Sequence, residues 1–341
     1  MTTPALHALR AAGPVDRTIT LLTSRPGASV AQLLPDVDDV LVYDAPWMKA
    51  PATSTASTSD LVMIERLRSR LFDAAVIFTV FSQNPLPAAL LCHLAGIPLR
   101  LAHCRENPYR LLTDWVPESE PEQEVRHEAR RQLDLVAAVG ASPGEAPLRL
   151  TLGPGAHQRA RRLLEEAGVR LDRPWIALHP GATAPSRRYP AWSYAAVLRR
   201  LVVDDGLQVV VTGGEDEQEL AADLAAHAGD GAFVLAGKTS LEELAAVIAQ
   251  ARLLLSNNTG PVHLASALGV PVVDLYALTN PQHTPWLVPS RVLSHDVPCR
   301  WCYKSVCPQG HHLCLRGIDP DEVVTAVHDL LRETAAAPRV T

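Results

Sequence analysis

The sequence predicts an α/β protein made of two domains, each built on a parallel sheet. Three observations carry this expectation. The chain has 341 residues, and domains usually hold about 100–200. In both halves short apolar runs alternate with amphipathic stretches, the pattern of repeated strand–helix–strand units. Between the halves, residues 141–156 are rich in Gly and Pro (Ser142-Pro143-Gly144 and Gly153-Pro154-Gly155), which marks a linker. The expected domains are therefore 1–150 and 151–341. Hydrophobic residues make up 47% of the chain but aromatics only 5%, so both cores must be built from Ala, Val and Leu.

In the first domain the apolar runs 17–23, 39–43, 74–78 and 98–102 read as strands. Segments 4–12, 30–34, 60–71 and 86–94 read as helices. Residues 118–140 begin charged and continue with Val125, Ala129, Leu133 and Val136 at helical spacing, which predicts one amphipathic helix ending at Gly140. In the second domain a basic helix over 157–169 comes first. Strands are expected at 175–179, 208–212, 232–235, 253–256 and 271–275, and helices at 191–204, 217–228, 241–251, 261–268 and 320–331. Several of these strands run into loops rich in Gly, Thr, Ser or Asn. Open α/β sheets bind ligands at the carboxyl ends of their strands, so the chemistry is expected there.

Charge and composition exclude some classes. The net charge is −6, whereas nucleic-acid-binding domains are usually basic. No apolar run reaches the roughly 18 residues of a membrane span. The N-terminal Met-Thr-Thr-Pro-Ala-Leu lacks the basic and apolar regions of a signal peptide. A cytoplasmic protein is expected, with at most peripheral membrane contact. In a reducing compartment the six cysteines are not expected to form a disulfide framework.

Three loops of the second domain suit a nucleotide diphosphate. Ser256-Asn257-Asn258-Thr259-Gly260-Pro261-Val262-His263 joins a strand to a helix. The N–H groups and dipole of a helix N-terminus attract phosphate. Gly260 permits close approach, Pro261 suits the first helical position, and His263 lies on the first turn. Ordinary capping by Asn258 or Thr259 is the alternative. The loop from His179 to Tyr189 supplies Thr183, Ser186, Arg187 and Arg188; guanidinium forks suit phosphate, although a plain polar connection would look similar. Thr212-Gly213-Gly214-Glu215-Asp216 places a carboxylate beyond a glycine turn, where ribose hydroxyls are bound in dinucleotide folds. Together the loops imply a nucleotide or phosphate site.

Near the C-terminus, Cys299, Cys302, Cys307 and Cys314 cluster with His311 and His312. The spacing is compatible with a structural zinc site; bare thiols, disulfides or an iron–sulfur cluster are the alternatives. Cys92 and Cys104 stand apart and read as packing residues.

The stretch 256–267, with Gly269-Val270-Pro271-Val272-Val273 after it, resembles the signature of glycosyltransferase family 9, the ADP-heptose:lipopolysaccharide heptosyltransferases. So do the loop 180–190 and the segment 276–286, with its Thr279-Asn280-Pro281-Gln282-His283-Thr284. The resemblance implies a GT-B fold, two Rossmann-like domains whose sheets face a cleft. It implies inverting transfer of a heptose from an ADP-sugar to a lipid-linked or other glycan, with no metal or cofactor required. The N-terminal domain would bind the acceptor through loops such as 47–59 and 104–121. In the C-terminal donor domain, Thr259, Gly260 and His263 would meet the diphosphate and sugar, Thr183, Ser186 and Arg187 the phosphate, and Glu215 the ribose. Leu241 would line the adenine pocket through its backbone.

Two departures from the family stand out. Asn258 replaces a usual Asp, which removes a negative charge while keeping a group able to bind a sugar hydroxyl. Family members also begin with an apolar strand and a Gly-Asp turn, followed by a helix that starts like Thr2-Thr3-Pro4-Ala5-Leu6. The aspartate of that turn is the family's proposed general base. Strand and aspartate are both absent here, so Met1 is expected to be an internal methionine of a longer protein, and no residue of the chain is nominated as the base. That absence would also suit a nucleotide-sugar-binding protein without catalysis. A GT-B nucleotide-sugar epimerase is the third reading; it would require UDP recognition and further carboxylates, for which no motif is present.

Overall fold

The computed structural model describes residues 1–48, 58–142 and 144–335. Pro143 of the expected linker and residues 49–57 of the loop 47–59 lie outside them. Two compact units divide the chain, Met1–Ala146 and Pro147–Thr341.

Unit 2 holds α6 (Ala156–Glu166), β6 (Trp175–His179), α7 (Ala191–Arg199), β7 (Gln208–Val211), α8 (Gln218–Ala228), β8 (Ala232–Val234), α9 (Leu241–Gln250), β9 (Leu254–Asn257), α10 (Gly260–Ala267), β10 (Val272–Leu275), β11 (Ser290–Leu293), α11 (Leu313–Arg316) and α12 (Pro320–Glu333). Its six strands form one parallel sheet in the order β11-β10-β9-β6-β7-β8. Strands β6, β7, β9 and β10 are buried along their whole length. That is why they read as largely apolar runs rather than alternating ones, as strands covered on both faces do. Ile176, Leu178, Val209 and Val211 pack toward α7, α8 and α12, while Ala177, Val210 and Leu254 pack toward α6 and α9. Full burial of each Leu, Val or Ile stabilises the unit by roughly 1.5–3 kcal/mol before entropy is counted. Local signals fix the helix starts. Ser240 and Glu243 form a reciprocal capping box on α9, and Asp319 caps α12 ahead of Pro320.

Unit 1 holds α1 (Thr3–Ala11), β1 (Thr20–Thr23), α2 (Arg25–Ala31), β2 (Asp39–Val42), α3 (Thr58–Ser69), β3 (Ala74–Ile77), α4 (Leu86–Leu94), β4 (Leu99–Cys104), β5 (Asp114–Pro117) and α5 (Glu128–Ala137). Its strands are also parallel but fall into two pieces, β1-β2 and β3-β4-β5. In unit 2 the first strand, β6, lies between the second and the fourth. The strand–helix order of unit 1 is that of unit 2 without such a strand, and among its described residues nothing pairs β1 with β3. Strand β1 is only half-buried throughout, unlike β6.

Some elements differ from the sequence expectation. The helix expected over 118–140 forms only as α5. Ahead of it residues 118–127 are held by ion pairs instead, Arg126 bonding to Glu120 at 2.7 Å and forward to Asp134 of α5 at 2.8 Å. Pro121 has no N–H to donate and disfavours helical backbone before it. The helix expected at 30–34 instead starts at Arg25, because the Ser24 hydroxyl accepts from the Gly27 N–H and Pro26 occupies the first turn. Strand β11 carried no clear sequence signal: it is an edge strand of four half-exposed residues, Ser-Arg-Val-Leu. Among the described residues no helix is long and apolar enough to cross a membrane.

Candidate functional site

The carboxyl ends of β6, β7, β9 and β10 lie side by side in unit 2, and the three loops singled out from the sequence leave from three of them. One fully buried side chain ties two of these loops together. Asn257, the last residue of β9, donates through Nδ2 to the Pro180 carbonyl at 2.6 Å and accepts at Oδ1 from the Tyr189 N–H at 3.0 Å. It thereby fixes both ends of the loop after β6 against the loop after β9. A buried amide left unpaired would cost about 1–3 kcal/mol, so the geometry of the two loops is coupled.

From Asn257 the chain turns through Asn258 and extended Thr259 into α10. Thr259 donates its hydroxyl to the Asn257 carbonyl at 3.2 Å. Gly260 opens the helix, and a Cβ built on it would meet nothing within 4 Å. Pro261 has no N–H and the Val262 N–H donates to the Thr259 carbonyl at 3.1 Å, so what this helix N-terminus offers an anion is its dipole and the open space beside Gly260. His263 is half-buried one turn in, with its ring centroid 6.5 Å from that of His283.

The loop after β6 contains a short 3₁₀ turn at Pro185–Arg187. Thr183 is exposed and Arg187 half-buried. Among the described residues Arg187 has no carboxylate partner, so its fork is available to an anion; Arg188 differs, since its Nε donates to the Ala182 carbonyl at 2.7 Å. Ser186 is buried and donates its hydroxyl to the Lys304 carbonyl at 2.9 Å. Its oxygen faces the cysteine-bearing segment, and its role there is to hold the loop.

Beyond β7, Glu215 is exposed at the start of a second 3₁₀ turn, Glu215–Glu217. Glu217 is the carboxylate that reaches inward. It accepts from the Gly214 N–H at 2.9 Å and stands 3.6 Å from His179 Nε2. Burial holds the His179 imidazole toward its neutral form against the pull of Glu217, and its Nδ1 pairs with Thr212 Oγ1 at 3.1 Å. Glu217 occupies the space beside Gly181: a Cβ at that position would lie 1.7 Å from Glu217 Oε1, and the carboxylate would have to move aside. Leu241 is the first residue of α9, half-buried. The structure thus joins the loop that carries Thr183 and Arg187, through Asn257, to the strand that leads into Asn258, Thr259, Gly260 and His263, and sets Glu215 in the loop after β7 and Leu241 at the start of the helix after the neighbouring β8. Sequence reading missed Asn257, His179, Glu217 and Asp274. Asn257 and His179 could have been noticed as polar residues closing apolar strands, and Asp274 as an acid within one; nothing marked Glu217.

The four clustered cysteines, with His311 and His312, line one small cavity beside Ser186 and Thr279. All are free thiols. Cys299 Sγ lies 3.6 Å from His311 Nε2. Backbone N–H groups of residues 309–312 point at Cys307 and lower its thiol pKa although burial opposes them. Among the described residues no group of three or more His, Cys, Asp or Glu is arranged to hold a metal ion. The structural zinc that the spacing allows thus has no ligand set arranged for it among the described residues; Cys299 lies against His311, and backbone N–H groups face Cys307 and Cys314.

Residues 61–313 match the sequence profile of glycosyltransferase family 9 (heptosyltransferase). Lipopolysaccharide heptosyltransferase 2 of Salmonella typhimurium is 28% identical over 275 residues, 78% of each chain. A family 9 glycosyl transferase from Veillonella parvula superposes with a TM-score of 0.81 at 22% identity, over 97% of this chain and 93% of that one. The ADP-heptose lps heptosyltransferase II of E. coli superposes with a TM-score of 0.74 at 23% identity, over 98% and 95%. The structural likenesses show the fold, an α/β GT-B fold of two Rossmann-like units. With about three quarters of its length matching the profile, the chain belongs to glycosyltransferase family 9 and is a glycosyltransferase.

Proposed function

We propose that the enzyme moves a heptose, or a related sugar, from an ADP-sugar to a lipopolysaccharide-core-like or other glycan acceptor, with inversion and without a metal ion or cofactor. The observation that carries this reading is that Asn257 ties both ends of the loop bearing Arg187, which has no carboxylate partner among the described residues, to the strand end that leads through Gly260 into α10. In an inverting displacement the acceptor hydroxyl attacks the anomeric carbon as the bond to the diphosphate oxygen breaks. ADP leaves with the electron pair, and the hydroxyl proton passes to a base. Charge grows on the diphosphate in the transition state, and fixed N–H dipoles with one guanidinium are suited to stabilise it. These groups supply the positive potential that a metal ion provides in other enzymes.

In this reading Thr183, Arg187, Thr259, Gly260 and His263 hold the diphosphate, while Asn258 meets the sugar. Glu215 accepts from the ribose, and Leu241 borders adenine through its backbone. Ser186 acts through the loop it anchors. Unit 1 receives the acceptor. The names of the relatives, lipopolysaccharide and lipooligosaccharide heptosyltransferases, support heptose and a lipopolysaccharide core as substrates, with the reaction in the cytoplasm at the inner face of the membrane.

The test is transfer from ADP-heptose to a heptose-bearing core oligosaccharide with excess EDTA present. Release of ADP at an undiminished rate, with an inverted anomeric centre in the product, is expected. A dependence on added Mg²⁺, retention of configuration, or use of UDP-sugars instead would each overturn the corresponding part.

A further inference from the structure

Asp274 is the one fully buried carboxylate of the central strands, set between Val273 and Leu275 on β10. Its Oδ2 accepts from Asn258 Nδ2 at 2.8 Å, and its Oδ1 has no hydrogen-bond partner. Removing a carboxyl from water and leaving one oxygen unpaired is costly. A Val or Leu would pack at a strand interior without that cost, so the fold alone gives no reason for an acid here. Asn258, its one side-chain partner among the described residues, is one of the residues proposed to hold the donor.

The bonding of Asn258 says what the acid does. An asparagine amide has two N–H donors and one carbonyl acceptor. Both hydrogens of Asn258 are committed, one to Asp274 and the other to the His283 carbonyl at 2.7 Å. Two acceptors facing the same atom require nitrogen there, which settles the amide orientation. The Asn258 carbonyl oxygen then points away from both, with no protein partner among the described residues.

We propose that Asp274 is a positioning residue for the sugar of the donor: by accepting from Asn258 it locks the amide so that a neutral carbonyl oxygen, and never the NH₂ group, is presented to a sugar hydroxyl. The proposal rests on the donor-site reading above. It makes the sugar subsite a hydrogen-bond acceptor without a net charge. Without Asp274 only the His283 carbonyl still biases the amide, and its acceptor face is populated part of the time.

The experiment compares unaltered enzyme, D274N and D274L, reading KM and kcat with ADP-heptose and, separately, the dissociation constant of ADP. An asparagine at 274 still offers an acceptor to Asn258, whereas leucine offers none. The expected result is that D274L raises the KM for ADP-heptose about tenfold and leaves ADP affinity within about twofold, and that D274N restores the KM to within about threefold. Loss of ADP and ADP-heptose binding to the same extent in D274L would overturn the proposal, as would D274N failing as badly as D274L. If D274L does not fold, D274A decides: alanine likewise offers Asn258 no acceptor, the KM for ADP-heptose is expected to rise about tenfold, and a KM unchanged from that of the unaltered enzyme would overturn the proposal. Failure of the unaltered enzyme to bind ADP at all would sink the donor-site reading itself, before any role for Asp274.

Discussion

Asn257 and Arg187 show two ways in which single residues matter here. Asn257 touches no expected ligand atom; it closes the loop after β6 onto β9 through a donor and an acceptor bond, both buried. Asn257→Ala leaves a carbonyl and an N–H unpaired, so a loss of about 2–3 kcal/mol in stability is predicted, with looser nucleotide binding. Urea denaturation at constant m-value measures it. Arg187 was legible in the sequence because its residue type already states its chemistry: a guanidinium in a short loop at a strand end. Asn257 was not legible, because its importance depends on which distant loop folds next to it, and Pro180 lies 77 positions away. Glu215 and Glu217 show the same limit. The sequence marks a carboxylate after the glycine turn, and only the backbone path decides that Glu217 turns inward while Glu215 faces water.

At the scale of elements, legibility followed burial. The central strands of unit 2 are covered on both faces, so their continuous apolar runs gave their positions to within about a residue. Strands β5 and β11 are short, partly exposed and edge-placed, and such strands carry little hydrophobic pattern. The long helix expected over 118–140 failed at Pro121, where backbone chemistry outweighs a helical spacing of apolar residues. The two-piece sheet of unit 1 makes a prediction of its own. The sides of β1 and β3 that face away from β2 and β4 have no strand partner among the described residues, so their amides should open to solvent far more readily than those of β6 and β9. Native-state hydrogen exchange should show residues 20–23 and 74–77 exchanging at least about a hundredfold faster than 175–179 and 254–257, which corresponds to about 3 kcal/mol less protection. Equal protection of the two sets would mean that the unit 1 sheet is continuous in solution.

For the whole molecule, the buried acid of unit 2 sets a pH dependence. Burial pushes the Asp274 carboxyl up to about 8, and only the Asn258 bond opposes this; Tyr194 and Tyr276 are the other titratable groups that feel its charge. A carboxyl that keeps its proton to about 8 in the fold, and only to about 4 when unfolded, favours the folded state at low pH. That advantage is lost as pH rises from about 4 to about 8. The stability of the enzyme relative to D274N should therefore fall between pH 5 and pH 8, a comparison in which groups common to both proteins cancel. A difference that stays flat over this range would place the Asp274 carboxyl in an ordinary, ionised state.

The central claim is that the strand ends of unit 2 bind an adenosine diphosphate through Arg187 and the N-terminus of α10. Thermal unfolding with ADP, UDP and GDP, on the unaltered enzyme and on R187A, tests it most directly. A ligand at about 100 times its dissociation constant adds roughly 2.7 kcal/mol, which should raise the midpoint by about 5–10 °C in a domain of this size. The expected result is such a rise with ADP alone, with about half of it or more lost in R187A, where removal of a charged hydrogen bond weakens binding by about tenfold or more. A rise with UDP or GDP equal to that with ADP, or an ADP effect undiminished in R187A, would contradict the account.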